Sequence, residues 1–144
     1  MRVVLDSNVI VSGIIWGGIP RKILDLARDK HITLYTTPEL LEELADVLSR
    51  DKFAALLAAR GLTADKIMNG YALLSYVISA APVSRIVPAD ADDDAVMACA
   101  IAAHANLIAT GDKDLLVLNP FQNIAILKPT EALRKIAEHC GLAF

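Results

Sequence analysis

Short apolar runs rich in Val, Ile and Leu recur along the chain as RVVLD from Arg2, HITLYTT from His31, SRIVP from Ser84, NLIAT from Asn106 and NIAIL from Asn123. Each has the length and β-branched character of a buried strand, and between most of them lie longer stretches with a helical period. Strands alternating with helices predict a three-layer α/β/α fold around a central, mostly parallel sheet of about five strands. Pro20 and Pro38 stand where helices can begin, with Thr37 as an N-cap, and Pro129 precedes the helical stretch TEALRKIAEHC. From Asp51 to Ala81 two helical patterns follow one another, broken at Gly61-Leu62-Thr63, with no strand between them. The stretch AAPVSRIVPADADDD reads as a short strand and a loop. Nothing resembles a Gly/Ser linker or an internal repeat, so residues 1–144 are expected to form a single domain.

In open parallel sheets, functional residues collect beyond the carboxyl ends of strands. Here those positions hold acids: Asp6 follows RVVL, Asp93 follows SRIVP after a loop, and Asp112 follows NLIATG. Asp6 lies between VVL and SNVIVSG, where a buried carboxylate needs either backbone N–H partners, as a helix cap has, or a metal. In TPELLEELADVLSR the arc of Leu40, Leu41, Leu44, Val47 and Leu48 leaves Glu39 and Glu42 facing away and Glu43 at the boundary of the core. Among the run of acids before AVMACAIAAHA, Asp93 shares the direction of Val96, Met97, Ala100 and Ile101, whereas Asp92 and Asp94 diverge to either side. Capping alone favours acids at a helix N-terminus, but it accounts least well for an inward one. In TGDKDLL, Asp112 is nearer the strand end and is assigned to the site, with Asp114 as a cap or supporting residue.

Four acids on one sheet edge repel unless cations are present, and hard oxygen-liganded Mg²⁺ or Mn²⁺ is the economical answer. Such ions activate water and offset phosphodiester charge, which makes phosphodiester hydrolysis the leading reaction class. The formal net charge of -3 argues mildly against a nucleic-acid protein, although metal-holding carboxylates lower that total without making the local field negative once cations bind. Mean hydropathy is positive at +0.46, yet every apolar run is interrupted before the roughly 20 residues a membrane span needs. A soluble, cytoplasmic protein is expected, with Cys99 and Cys140 reduced.

The segments LDSNVIVSG, TTPELLEELADVLSRDKF and DADDDAVMACAIAAHANLIATGDKDLL, in that order and separation, resemble the PIN domain family. The likeness is to its bacterial branch of toxin–antitoxin toxins of VapC type. It implies a PIN-like fold and a metal-dependent ribonuclease site, with metal-binding and catalytic roles for Asp6, Glu43, Asp93 and Asp112. Asn8 and Thr110 are expected to orient a carboxylate or water, with Asp94 and Asp114 beside the site, although Asn8 and Thr110 read equally well as turn residues. Asp90 and Asp94 match acids that vary among such proteins. Two departures from the family pattern are Ala91, where a Pro is usual, and His104, where a Gly is usual; neither is a proposed ligand.

RNA is the expected substrate, and Arg21, Lys22, Arg50 and Lys52 are candidates for its phosphates, each also explicable as solvated surface charge. Trp16 and Ile19, in an exposed-looking WGGIP loop, fit a homodimer contact or base stacking, the dimer contact being preferred. His104 is expected in the core or at an interface, with His31 and His139 on the surface. A separate antitoxin protein would restrain a toxin by covering the acidic cleft. The rival classes are a catalytically quiet module that binds RNA or protein, and a phosphatase or receiver domain. The first kind of phosphatase needs an Asp where this chain has Asn8, and a receiver needs a Lys in a different strand context.

Overall fold

A computed structural model describes residues 1–81 and 91–143. Among these, the strands β1 (Arg2–Leu5), β2 (Thr33–Thr36), β3 (Tyr76–Val77), β4 (Leu107–Ala109) and β5 (Ala125–Leu127) form one sheet in the order β3-β2-β1-β4-β5. All four pairings are parallel, with Val4 opposite both Tyr35 and Ile108. Parallel strands need crossovers, and helices supply them: α1 (Ser7–Ile15), α2 (Gly18–Arg28), α3 (Pro38–Leu48), α4 (Asp51–Ala59), α5 (Ala64–Leu74), α6 (Ala91–Ala102), α7 (Lys113–Leu116) and α8 (Pro129–Cys140).

The period-two alternation of β1 divides the core. Val3 and Leu5 join Ile10, Ile23, Leu34, Leu44 and Ile136 on one face of the sheet, while Val4 joins Val96, Met97, Ile108, Leu115 and Ile126 on the other. The central strands are thus covered on both sides, which is why these runs are almost wholly apolar rather than alternating. The α/β/α expectation holds, as do the four sequence-predicted strands that fall on described residues. The helix starts follow local chemistry: Thr37 caps α3 by accepting the Leu40 amide, and Pro38 and Pro129 occupy first-turn positions of α3 and α8.

The two helical patterns from Asp51 form α4 and α5, with no strand between them, as expected. After them comes an element the sequence did not announce, the two-residue β3, held at the sheet edge by pairing of Tyr35 with Tyr76 and by stacking of their rings at 5.6 Å. It is too short to carry a period, so no pattern could announce it. His104 is neither buried nor on the apolar face of α6: it follows the end of that helix, is exposed, and has φ 51. A helix that stops two residues before it removes the periodicity on which its inward placement rested. His31 and His139 are exposed as expected, and the predicted SRIVP strand and Asp90 lie outside the described residues.

The crossing of α1 and α2 rests on one small residue. A Cβ placed at Gly13 would meet the Pro20 carbonyl carbon at 3.0 Å and the Arg21 amide nitrogen at 3.1 Å, both of them backbone atoms that cannot rotate aside. Across the same contact, Arg21 donates from Nε to the Gly13 carbonyl at 2.9 Å and from Nη2 to that of Ile14 at 3.2 Å. Gly13→Ala is therefore expected to destabilise the fold by about 1–3 kcal/mol, seen in thermal unfolding as a Tm lower by roughly 3–10 °C. An unchanged Tm would show that the two helices can separate freely.

Candidate metal centre

Strand order reverses at the boundary between β1 and β4, the place where an open parallel sheet leaves a crevice beyond its strand ends. Asp6 follows β1 on one side of that boundary and Thr110 follows β4 on the other, tied by a hydrogen bond from the Asp6 amide to the Ala109 carbonyl at 3.1 Å. Asp6 is only 5% exposed and Thr110 is fully buried.

The Asp6 carboxylate could have been an ordinary helix cap, but it lacks a cap hydrogen bond of full geometry, the Ser7 and Asn8 amides bearing on it only in part. It turns instead to Thr110, whose hydroxyl donates to Oδ2 at 2.7 Å. The same hydroxyl oxygen accepts the Asp112 amide at 3.0 Å, so one side chain holds two acidic positions in register. Burial raises the pKa of Asp6 above the usual carboxylate range; the Thr110 hydrogen bond opposes that rise, the negative charge of Asp112 adds to it, and the amides of Asn8 and Ser7 oppose it.

Beside this pair, oxygens of Asp93, Asp112 and Asp114 all lie within 4.8 Å of one another. Asp93 is buried at 4% exposure on the first turn of α6, where the wheel direction placed it. Asp112 and Asp114 come from the turn after β4, and their division of labour differs from the sequence expectation. Asp112, not Asp114, caps α7, its Oδ1 accepting the Asp114 amide at 2.9 Å. Asp114, expected to be a cap or a neighbour of the site, supplies an oxygen to the cluster itself. A signal for this was present in the D-x-D spacing: a capping Asp that binds the amide two residues on draws that residue alongside its own carboxylate.

Glu43 sits half-buried on α3, while Glu39 and Glu42 are exposed, as the helical wheel required. It lies outside the tight group of three; α3 packs against both α1 and α6, the helices that open at Asp6 and just before Asp93. Asp94 is half-buried on α6, and Asn8 is exposed on the first turn of α1, where its amide rather than its side chain bears on Asp6. Arg21, Lys22, Arg50 and Lys52 are all exposed. Arg21 is engaged with the carbonyls that end α1, and Lys52 lies over the Phe53 ring at 4.9 Å.

The donor set is chemically consistent. Carboxylate oxygens with a threonine hydroxyl behind them are hard ligands of the kind that Mg²⁺ and Mn²⁺ take, and the described residues bring neither thiolate nor imidazole into the group.

Comparison with known proteins places the chain and its fold in a family. A family model described as the PIN domain matches residues 2–114. An uncharacterised protein of Methanocaldococcus jannaschii is 35% identical over 120 residues, which is 82% of this chain and 75% of that protein. Among solved structures, VapBC2 from Rickettsia felis, crystallised with a DNA fragment from its promoter, contains a chain that superposes with a TM-score of 0.59. The superposition covers 88% of this chain and 97% of that one at 16% identity, a likeness of fold.

Without metal, the buried Asp6 carboxylate is a cost. Its folded-state pKa is raised, so protonation favours the fold: stability is present at pH below the unfolded value and is lost as pH rises through the folded one. Asp6→Asn is therefore expected to melt higher than wild type in EDTA at pH 7, and the difference should shrink as pH falls toward 4. Thermal unfolding at both pH values checks this; a variant less stable than wild type at pH 7 would mean that the carboxylate is favourably held without a cation.

Proposed function

Since the chain belongs to the PIN domain family, a family of nuclease-type hydrolases, we propose that it forms a single domain that hydrolyses RNA phosphodiester bonds with Mg²⁺ or Mn²⁺. The observation that carries the reading is the convergence of Asp93, Asp112 and Asp114 oxygens within 4.8 Å, beside the Asp6 carboxylate that Thr110 fixes. Asp6, Asp93 and Asp112 are the proposed metal ligands; Glu43 completes the site from α3, and Asp114 joins as a further oxygen donor. A divalent ion bound there supplies an activated water and offsets the charge of the phosphodiester.

The protein's own contribution is placement. Thr110 keeps Asp6 from rotating toward α1, and it fixes the turn on which Asp112 sits. Burial of Asp6 and Asp93 keeps their carboxylates in a poorly solvated crevice, where a charge difference counts for more than it does in water. Among the described residues the acidic group holds neither Cys nor His, in keeping with direct attack by water.

The same reading makes the chain the toxin of a toxin–antitoxin pair. Its structural neighbour carries the name of a two-part VapBC complex, which supports a separate antitoxin as partner. A basic side chain from that partner, set among the acids, would be the electrostatic equivalent of the cation. The cytoplasm is the proposed compartment, in keeping with two free thiols, Cys99 and Cys140. No helix among the described residues is long and apolar enough to cross a membrane.

Cleavage of a panel of small structured RNAs by the purified protein tests the proposal. Activity is expected with Mg²⁺ or Mn²⁺, is expected to vanish in EDTA, and should fall at least about 100-fold in Asp6→Asn and Asp112→Asn. Mn²⁺ at about 100 times its dissociation constant should also stabilise wild type by about 2.7 kcal/mol, and either variant by much less. Equal inertness of wild type and variants, with no stabilisation by metal, would overturn the nuclease reading in favour of a catalytically quiet binding module.

A further inference from the structure

We propose that Trp16 and Arg60 form a stacking subsite for a base of single-stranded RNA, apart from the acids at the strand ends. The inference rests on the nuclease reading above and adds to it the chemistry that holds the strand.

Trp16 ends α1 as its C-cap and is 66% exposed, an unusual place for the largest apolar side chain. The Arg60 guanidinium lies over the indole, 5.9 Å from the ring centre. A second guanidinium, that of Arg21, binds the carbonyls of Gly13 and Ile14 at the same end of α1. An aromatic face beside two cations is what single-stranded nucleic acid uses: bases stack on the ring while phosphates follow the positive charge.

The path back to the acids is built from two elements. The first, α1, runs from Asp6 to Trp16, about 15 Å at 1.5 Å per residue. The second, α3, carries Glu43, packs on α1, and leads through Arg50 into α4, whose C-cap is Arg60. Along the chain between Glu43 and Arg60 lie Arg50 and Lys52, both exposed.

Trp16 is the single tryptophan of the chain, so intrinsic fluorescence reports on this position alone. Titration in EDTA would compare a single-stranded oligoribonucleotide of about eight bases with an abasic ribose-phosphate strand of equal length, while a terminal label reports binding by anisotropy. Quenching by the base-bearing strand only is expected. Trp16→Ala should weaken its binding, and raise KM in Mn²⁺, by at least about fivefold, with Trp16→Phe retaining most of both. RNA cut by wild type with fluorescence unchanged and with Trp16→Ala at the wild-type KM would overturn the subsite and leave the nuclease standing. RNA neither bound nor cut would remove both readings. Fluorescence that tracks protein concentration alone, with Trp16→Ala turning a dimer into a monomer, would assign the indole to a second copy of the chain and overturn the subsite.

Discussion

The Thr110 hydroxyl is the point on which the crevice depends. It donates to Asp6 at the end of β1 and accepts from the Asp112 amide after β4, so a single oxygen sets the separation of two acids that arrive from strands far apart in sequence. Carboxylates crowded in a poorly solvated cleft repel one another and drift apart when their tethers are loose. Here the tether is a buried side chain directly after a strand paired along both edges, which leaves little room for drift. The cost of that rigidity shows in Asp6, whose ionised form is disfavoured by burial.

The fold was legible because both faces of the sheet are covered. Runs such as RVVL and NLIA must then be apolar throughout, and the helices between them must carry the polar residues. Asp93 was legible for a related reason: on a helix packed against the sheet, direction on the wheel decides burial, and its direction matched that of Val96, Met97 and Ala100. Glu43 at the edge of the α3 arc follows from the same geometry.

What escaped the sequence had no period to reveal it. The strand β3 is two residues long and exists through its pairing with β2, a contact between residues some forty positions apart that no local pattern encodes. The exposure of His104 depends on where α6 stops, and helix ends are fixed by a few backbone hydrogen bonds more than by side-chain periodicity. That Asp112 both caps α7 and stays in the acidic group, with Asp114 drawn in beside it, turned on which of two neighbouring carboxylates met an amide, a choice made within one turn of chain. Thr110 itself looked like a turn residue as much as a partner of Asp6; only the pairing of β1 with β4 places its hydroxyl where it acts.

The order of the sheet also bears on when the crevice comes into being. As the chain leaves the ribosome, β1, β2 and α3 emerge well before β4, and a domain of this kind closes as a unit. Until β4 docks along the free edge of β1, Asp6 has no Thr110 to turn toward, and the acids of α6 and α7 have no neighbour across the strand ends. A half-made chain, lying beside the message that encodes it, therefore carries Asp6 and Glu43 without the later acids that give them any joint effect.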